Sequence, residues 1–160
     1  MVNGISHANM GKPDYALAVK QHQNYTRTLE ACGLAVVVLD PDEAFPDSTF
    51  IEDTCLVTGR CVVITRPGAR SRRGETRDVA RAMAGCDRPM AEIQAPGTLD
   101  AGDVMMVQDH FYVGLSDRTN AAGADQLEKI LAPHGYTVSF IRLRSVLHLK
   151  TGISYLENNC

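Results

Sequence analysis

Carboxylates gather at two places about 50 residues apart. Asp47, Glu52 and Asp53 precede one candidate hairpin, Asp100 and Asp103 precede a second, and His148 holds the corresponding place before a third unit. If such units stand around a ring, equivalent junctions converge on one centre. Several carboxylates and one imidazole would then line a common pocket. That suits a cationic, planar group such as a guanidinium, which carboxylates take in paired, charge-assisted hydrogen bonds. Each residue also has a plainer role open to it. Asp47 follows Pro46 and fits a turn or a cap. Asp53 and Asp103 precede strands and fit turns, His148 between two leucines reads as a core histidine, and Arg72 and Arg73 read as solvated charge. Arg118 is expected in the first turn of a helix, where the macrodipole disfavours a cation, and that strengthens the case for a specific role.

The elements that must position these residues repeat. Asp53-Thr54-Cys55-Leu56-Val57, a turn at Thr58-Gly59-Arg60 and Cys61-Val62-Val63-Ile64-Thr65 read as two buried strands in a hairpin. Asp103-Val104-Met105-Met106-Val107, a turn at Gln108-Asp109-His110 and Phe111-Tyr112-Val113-Gly114-Leu115 read the same way, 50 residues on. Self-similarity at a fixed spacing marks a repeated supersecondary unit. A helix and a strand complete each unit. Residues 73–85, with Val79 and Met83 four apart, lead to a strand at 90–95. Residues 119–133 carry Ala124, Leu127 and Leu131 at helical spacing, with Ser116 or Asp117 as N-cap and Gly135 as the stop, and lead to a strand at 137–143.

Before the first unit, Tyr15, Ala18, His22, Tyr25, Leu29 and Cys32 recur by threes and fours, which predicts a helix over 14–32 feeding a strand over 34–39. After the second, residues 151–156 read as the outgoing strand of a third unit and Glu157-Asn158-Asn159 as its turn. A strand without a return partner leaves an open edge, so a chain truncated at its C-terminus is expected.

Composition narrows the class. The 160 residues, 44% hydrophobic and 22% charged, suffice for one soluble domain. A net charge of -3 spread along the chain provides no basic stripe for nucleic acid. No apolar run of about 18 residues suggests a membrane span, and Met1-Val2-Asn3-Gly4 lacks the features of a signal peptide, so a cytoplasmic location is expected. The five cysteines, Cys32, Cys55, Cys61, Cys86 and Cys160, include no CxxC pair and no zinc spacing. They read as reduced thiols, with Cys32, Cys55 and Cys61 as small buried hydrophobes.

Several motifs together resemble bacterial dimethylarginine dimethylaminohydrolase, within the arginine-deiminase and amidinotransferase-like superfamily. They are Gly11-Lys12-Pro13-Asp14-Tyr15, Phe45-Pro46-Asp47-Ser48, Phe50-Ile51-Glu52-Asp53, Ile64-Thr65-Arg66-Pro67-Gly68-Ala69 and Ser71-Arg72-Arg73. Ala95-Pro96-Gly97-Thr98, Asp100-Ala101-Gly102-Asp103, Phe111-Tyr112-Val113-Gly114, Arg118-Thr119-Asn120 and Leu147-His148-Leu149-Lys150-Thr151-Gly152 follow in order.

The resemblance implies an α/β fold, a partial five-module α/β propeller of the pentein type built from ββαβ repeats. Residues 1–160 would be a single domain, the N-terminal part of that propeller, with repeat hairpins near 53–65 and 103–115 and a third begun at 151. It implies His148 as general acid/base and Asp100 as the acid assisting it, a position at which some members carry Glu. Asp47, Glu52 and Asp53 match residues that hold the guanidinium, Arg72 and Arg118 those that hold the α-carboxylate, and Ile5 the lid loop.

The implied reaction is hydrolysis of asymmetric dimethylarginine or monomethylarginine to citrulline through a covalent cysteine intermediate, with no metal or organic cofactor. A small-molecule substrate is the expected partner, and a homodimer is left open. The family's nucleophile lies in a small-residue context near the far C-terminus that this sequence lacks, and Cys160 is not assigned the role. An arginine or agmatine deiminase, an amidinotransferase, and a non-catalytic guanidino-binding fragment stay open as alternatives.

Overall fold

The computed structural model describes residues 3–6 and 11–156, so the expected turn at 157–159 and Cys160 lie outside the described residues. The chain divides into two compact units, residues 1–49 and 50–160.

In the first unit the predicted helix is α1 (Tyr15–Ala31). The Asp14 side chain caps it by accepting from the Leu17 amide at 3.0 Å. At the far end Gly33 turns at φ 84°, a conformation that a β-carbon would oppose. Its amide donates to the Glu30 carbonyl at 2.9 Å and that of Leu34 to the Leu29 carbonyl at 3.2 Å, closing the helix in a Schellman arrangement. The expected strand over 34–39 does not form. Among the described residues this apolar run has no strand to pair with, and Leu34, Val37 and Val38 are exposed. Cys32, expected to be buried, is exposed as well.

The second unit holds the repeat. Strands β1 (Cys55–Val57) and β2 (Val62–Ile64) form an antiparallel hairpin, and α2 (Thr76–Met83) carries the chain to β3 (Met90–Glu92), which pairs parallel with β2. Strands β4 (Val104–Val107) and β5 (His110–Leu115) form the second hairpin, and α3 (Ala121–Leu131) leads to β6 (Thr137–Arg142), parallel to β5. Parallel partners need such a crossover, which is why each helix falls between the second and third strands of its sheet. The order is therefore β1-β2-β3 in one sheet and β4-β5-β6 in the other.

Among the differences from expectation, β3 ends at Glu92 rather than 95, and three more follow from local bonding. The second hairpin turns at Gln108 and Asp109, with Gln108 at φ 55°, so His110 belongs to β5. The cap of α3 is Asn120 rather than Ser116 or Asp117; its side chain accepts from the amides of Gly123 at 2.8 Å and Thr98 at 3.0 Å. In place of the expected strand over 151–156 there is a single helical turn, α4 (Leu149–Gly152). Thr151 Oγ1 donates to the His148 carbonyl at 2.7 Å and accepts from the His148 amide at 3.3 Å, and this reciprocal pair winds the backbone.

The core lies between the two sheets and α3. Cys61, Val63, Ile93, Leu99, Val104, Phe111, Val113, Ala124, Leu127, Leu131 and Tyr136 are buried together. The predicted stripe Ala124, Leu127 and Leu131 is the buried face of α3. Phe111 meets Tyr136 edge to face at 5.1 Å. Full burial of side chains such as Phe111 and Leu127 contributes about 1.5–3 kcal/mol each. Among the described residues no helix is long and apolar enough to cross a membrane.

Candidate active site

Each sheet of the second unit is entered through a 3-10 turn, Ile51–Thr54 before β1 and Ala101–Asp103 before β4. These turns place Asp53 and Asp103 side by side with His148, the residue that starts α4. Gly102 makes the approach possible. A β-carbon there would sit 2.7 Å from Asp53 Oδ1 and 3.0 Å from His148 Cγ. With hydrogen in that place the Gly102 amide donates to Asp53 Oδ1 at 3.1 Å.

Asp53 is buried and engaged on both oxygens. Oδ2 accepts from Arg72 Nη1 at 2.7 Å, and Oδ1 lies 3.8 Å from His148 Nε2. Arg72 is itself buried. Its Nε donates to Glu75 Oε2 at 3.0 Å, and its Nη2 donates to Glu75 Oε2 at 2.9 Å and to the Phe50 carbonyl at 3.1 Å. Burial alone would lower the affinity of this guanidinium for its proton, but the hydrogen bonds and charges of Glu75 and Asp53 outweigh that and raise its pKa. In this structure Arg72 thus neutralises two buried carboxylates.

Asp100 is fully buried. Its Oδ1 accepts from the Gly68 amide at 2.8 Å and its own amide donates to Thr119 Oγ1 at 3.1 Å. Gly68 is another close approach, because a β-carbon there would meet the Arg118 backbone at 2.4 Å. Oδ2 of Asp100 has no hydrogen-bond partner, and Arg118 Nη1 stands 3.9 Å from it. Burial raises the pKa of this carboxyl against the Gly68 bond, and the neighbouring charge of Asp53 adds to the rise.

Asp103, also fully buried, has the opposite balance. Burial works to raise its pKa, yet the net direction is down, because His148 and the donors of Ser116, Thr119 and Leu149 favour the anion. Ser116 Oγ donates to Oδ2 at 2.6 Å, Thr119 Oγ1 to Oδ2 at 2.7 Å, and the Leu149 amide to Oδ1 at 3.0 Å.

His148 is flanked by this array. Nδ1 lies 3.4 Å from Asp103 Oδ1, long for a hydrogen bond, so the link in this geometry is mainly electrostatic. Asp103 raises the pKa of the imidazole, burial opposes it, and the charges of Asp53 and Asp100 add to the rise. One atom each of Asp53, Asp100 and His148 lie within 4.8 Å of one another, a spacing open to a bound cation.

The remaining expected residues are placed as follows. Arg118 sits in the loop before α3, not in its first turn, its amide donating to Ser116 Oγ at 3.0 Å. Glu52 is exposed and ion-paired with Lys150. Asp47 and Ile5 meet in the first unit, where the Ile5 amide donates to the Asp47 carboxylate at 3.1 and 3.0 Å. Of the cysteines, Cys61 is buried and Cys55 and Cys86 are partly so. Burial, with Cys86 adding to it, pushes the Cys55 thiol up to about 11. Sequence reasoning missed Gly68, Gly102, Ser116, Thr119 and Glu75 as parts of the site. Only Gly102, between two acids in Asp100-Ala101-Gly102-Asp103, carries a local signal.

Comparison with known proteins gives concordant matches. The model of a family described as N,N dimethylarginine dimethylhydrolase, eukaryotic, matches residues 8–159. An N(G),N(G)-dimethylarginine dimethylaminohydrolase of Pseudomonas aeruginosa is 53% identical over 99% of this chain and 63% of its own length. One of Streptomyces coelicolor is 41% identical over 96% of this chain and 60% of its own length. A solved structure of the Pseudomonas aeruginosa enzyme, a cysteine-to-serine mutant complexed with citrulline, superposes with a TM-score of 0.93 at 52% identity, covering 97% of this chain and 61% of that one. The chain thus spans about six-tenths of the length of these relatives. The mixed α/β fold is shared with them.

Proposed function

Since the chain belongs to the dimethylarginine dimethylaminohydrolase family, we propose that the protein hydrolyses asymmetric dimethylarginine and monomethylarginine to citrulline and the corresponding methylamine. The observation that carries this reading is the convergence of two buried carboxylates, Asp53 and Asp100, on one half-buried imidazole. Carboxylates in a water-poor site favour a bound guanidinium. In the proposal Asp47, Glu52 and Asp53 hold the guanidinium, Arg118 and Arg72 attract the α-carboxylate, and Ile5 belongs to the lid.

The chemistry runs in two halves. A thiolate adds to the central guanidinium carbon, and protonated His148, a form that the neighbouring carboxylates favour, gives its proton to the departing amine. The alkylthiouronium left behind is then attacked by water whose proton His148 takes back, and the thiol is released with citrulline. Asp100 assists from beside the ring. No described cysteine is offered as the nucleophile, because none lies in the small-residue context that the resemblance implies; burial also drives Cys55 away from the thiolate, and Cys61 is packed in the core.

The two three-stranded sheets are read here as modules of a five-module propeller whose N-terminal part is residues 1–160, with another begun at 151. The equal topology of the sheets supports that reading. A cytoplasmic location and a homodimer complete the proposal.

The test sets citrulline release from asymmetric dimethylarginine beside ammonia release from arginine, with wild type, His148→Asn and Cys160→Ser. The expected result is preference for the methylated substrate and a loss of about 10²–10⁴-fold in the histidine variant. Equal or faster ammonia release would make the protein a deiminase instead. Ligand heat in calorimetry without turnover would leave it a guanidino-binding chain, and turnover abolished by Cys160→Ser would assign the thiol to that residue.

A further inference from the structure

We propose that the cleft at the carboxyl ends of β2 and β3 binds a phosphate dianion, free or esterified to a small molecule, through Arg66 and Arg73. The cleft holds about 280 Å³ and lies where β2 and β3 end and α2 begins, with Arg66, Arg73, Thr76, Arg77, Glu92 and Gln94 in its wall. Open α/β sheets take ligands in the crevice outside the carboxyl ends of their parallel strands. Strands β2 and β3 are such a parallel pair. The cleft shares no wall residue with the His148 site.

Both arginines are half-buried and held by main-chain carbonyls. Arg66 Nη1 donates to the Gly97 carbonyl at 3.0 Å and Arg73 Nε to the Pro67 carbonyl at 3.1 Å. A guanidinium has five N–H groups, so most of its donors remain for a ligand. Among the described residues no carboxylate pairs with either one, in contrast with Arg60, Arg72, Arg77 and Arg81. Desolvation, and then the charges of Arg66 and Arg70, lower the pKa of Arg73, as expected of cations crowded without a counter-ion. Two carboxylates stand by. Glu92, exposed in the wall, accepts from Gln94 Nε2 at 3.3 Å, and Asp78 is taken by Arg77 and Arg81 at 3.2 Å each. Guanidinium forks match the oxygens of phosphate, and two cations around one ligand favour a dianion over a simple carboxylate. The volume falls just below the roughly 300–1,000 Å³ of drug-sized sites, which suits phosphate or a short phosphomonoester.

The test titrates the full chain, labelled with ¹⁵N-arginine, with inorganic phosphate and separately with acetate at constant ionic strength. The Nε–H resonances of Arg66 and Arg73 are expected to move saturably with phosphate and to stay in place with acetate. In calorimetry Arg66→Gln and Arg73→Gln should each weaken phosphate binding by about tenfold or more, and Arg66→Lys by less. Glu92→Gln should tighten it, and Arg88→Gln, exposed and outside the cleft, should leave it unchanged. A parallel titration with methyl phosphate identifies the source, since the tighter of the two is the form that the cleft takes. Unmoved Arg66 and Arg73 resonances at millimolar phosphate would overturn the proposal, and this outcome needs no variant to fold. So would an equal response to acetate. Affinity lost in Arg118→Gln but kept in the Arg66 and Arg73 variants would put the anion at the His148 site and overturn it too. No arm reads methylarginine turnover, so a failure here leaves the hydrolase reading standing and a failure there leaves the cleft.

Discussion

Asp53 and Asp103 stand 50 residues apart, each in a 3-10 turn that leads into the first strand of its sheet. Asp53 is neutralised by the Arg72 guanidinium at 2.7 Å, whereas Asp103 is held by two hydroxyls and an amide. The repeated backbone delivers a carboxylate to the same kind of place, and the partners brought from elsewhere decide what it can do there. Even with a full counter-charge, Asp53 still adds to the rise of the imidazole pKa. Neutral donors leave the negative charge of Asp103 to act on His148. The residues just before them diverge as well: Glu52 is exposed, while Gly102 is buried against Asp53 and His148.

Removing the cation beside the first sheet should have the largest effect. Arg72→Ala would leave Asp53 and Glu75 as buried, uncompensated charges, and a stability loss of about 3–5 kcal/mol is expected in denaturant unfolding. A loss below about 1 kcal/mol would mean that the two sheets use their aspartates more alike than the geometry indicates. Gly102→Ala comes next, at about 1–3 kcal/mol, because the new methyl group meets Asp53 and His148 at once. The His148 resonances should move in that variant, and their constancy would show that the turn can yield without disturbing the ring.

The pH dependence of stability sharpens the comparison further. His148 has a folded pKa raised above 6.5, so its contribution is complete below that value and is lost as pH rises through the folded one. Asp103 has a folded pKa below 3.8, so its contribution is present above that value and is lost as pH falls through the folded one. Asp100, raised from 3.8, weakens the plateau as it ionises. Thermal stability should therefore decline as pH rises from 6.5 through the folded pKa of His148, and Asp103→Asn should flatten that decline. An equal decline in the variant would place the effect on other groups. Least affected should be Glu52→Gln, within about 0.5 kcal/mol, since its ion pair with Lys150 is solvent-exposed.

Much of this arrangement could be read from residue order, but not all of it for the same reason. The stripe Ala124, Leu127 and Leu131 and the spacing of Asp53 and Asp103 are local or periodic, and the structure places them accordingly. The segment 34–39 has strand composition but, among the described residues, no ladder in which to pair, and Thr151 winds the segment after His148 into a helical turn by bonding back to it. Ser116 looked like a helix cap because its hydroxyl competes for nearby amides, yet its proton goes to Asp103, 13 residues away. That leaves the cap to Asn120. Non-local hydroxyl partners of this kind leave no periodic trace in a sequence.

Thr119 adds a direction to the site. Its hydroxyl has a single hydrogen, and Asp103 takes it; the lone pair that remains accepts the amide of Asp100. The chain of donors therefore runs one way only, from residue 100 through residue 119 to residue 103, each bond polarising the next. Serine could inherit the position and valine could not, although valine fits the same space. The main chain at residue 100 and the carboxylate at residue 103 are in this way joined through one oxygen, so a lineage that altered residue 103 or residue 119 would be expected to alter the other with it, while residue 100 needs only to keep its amide.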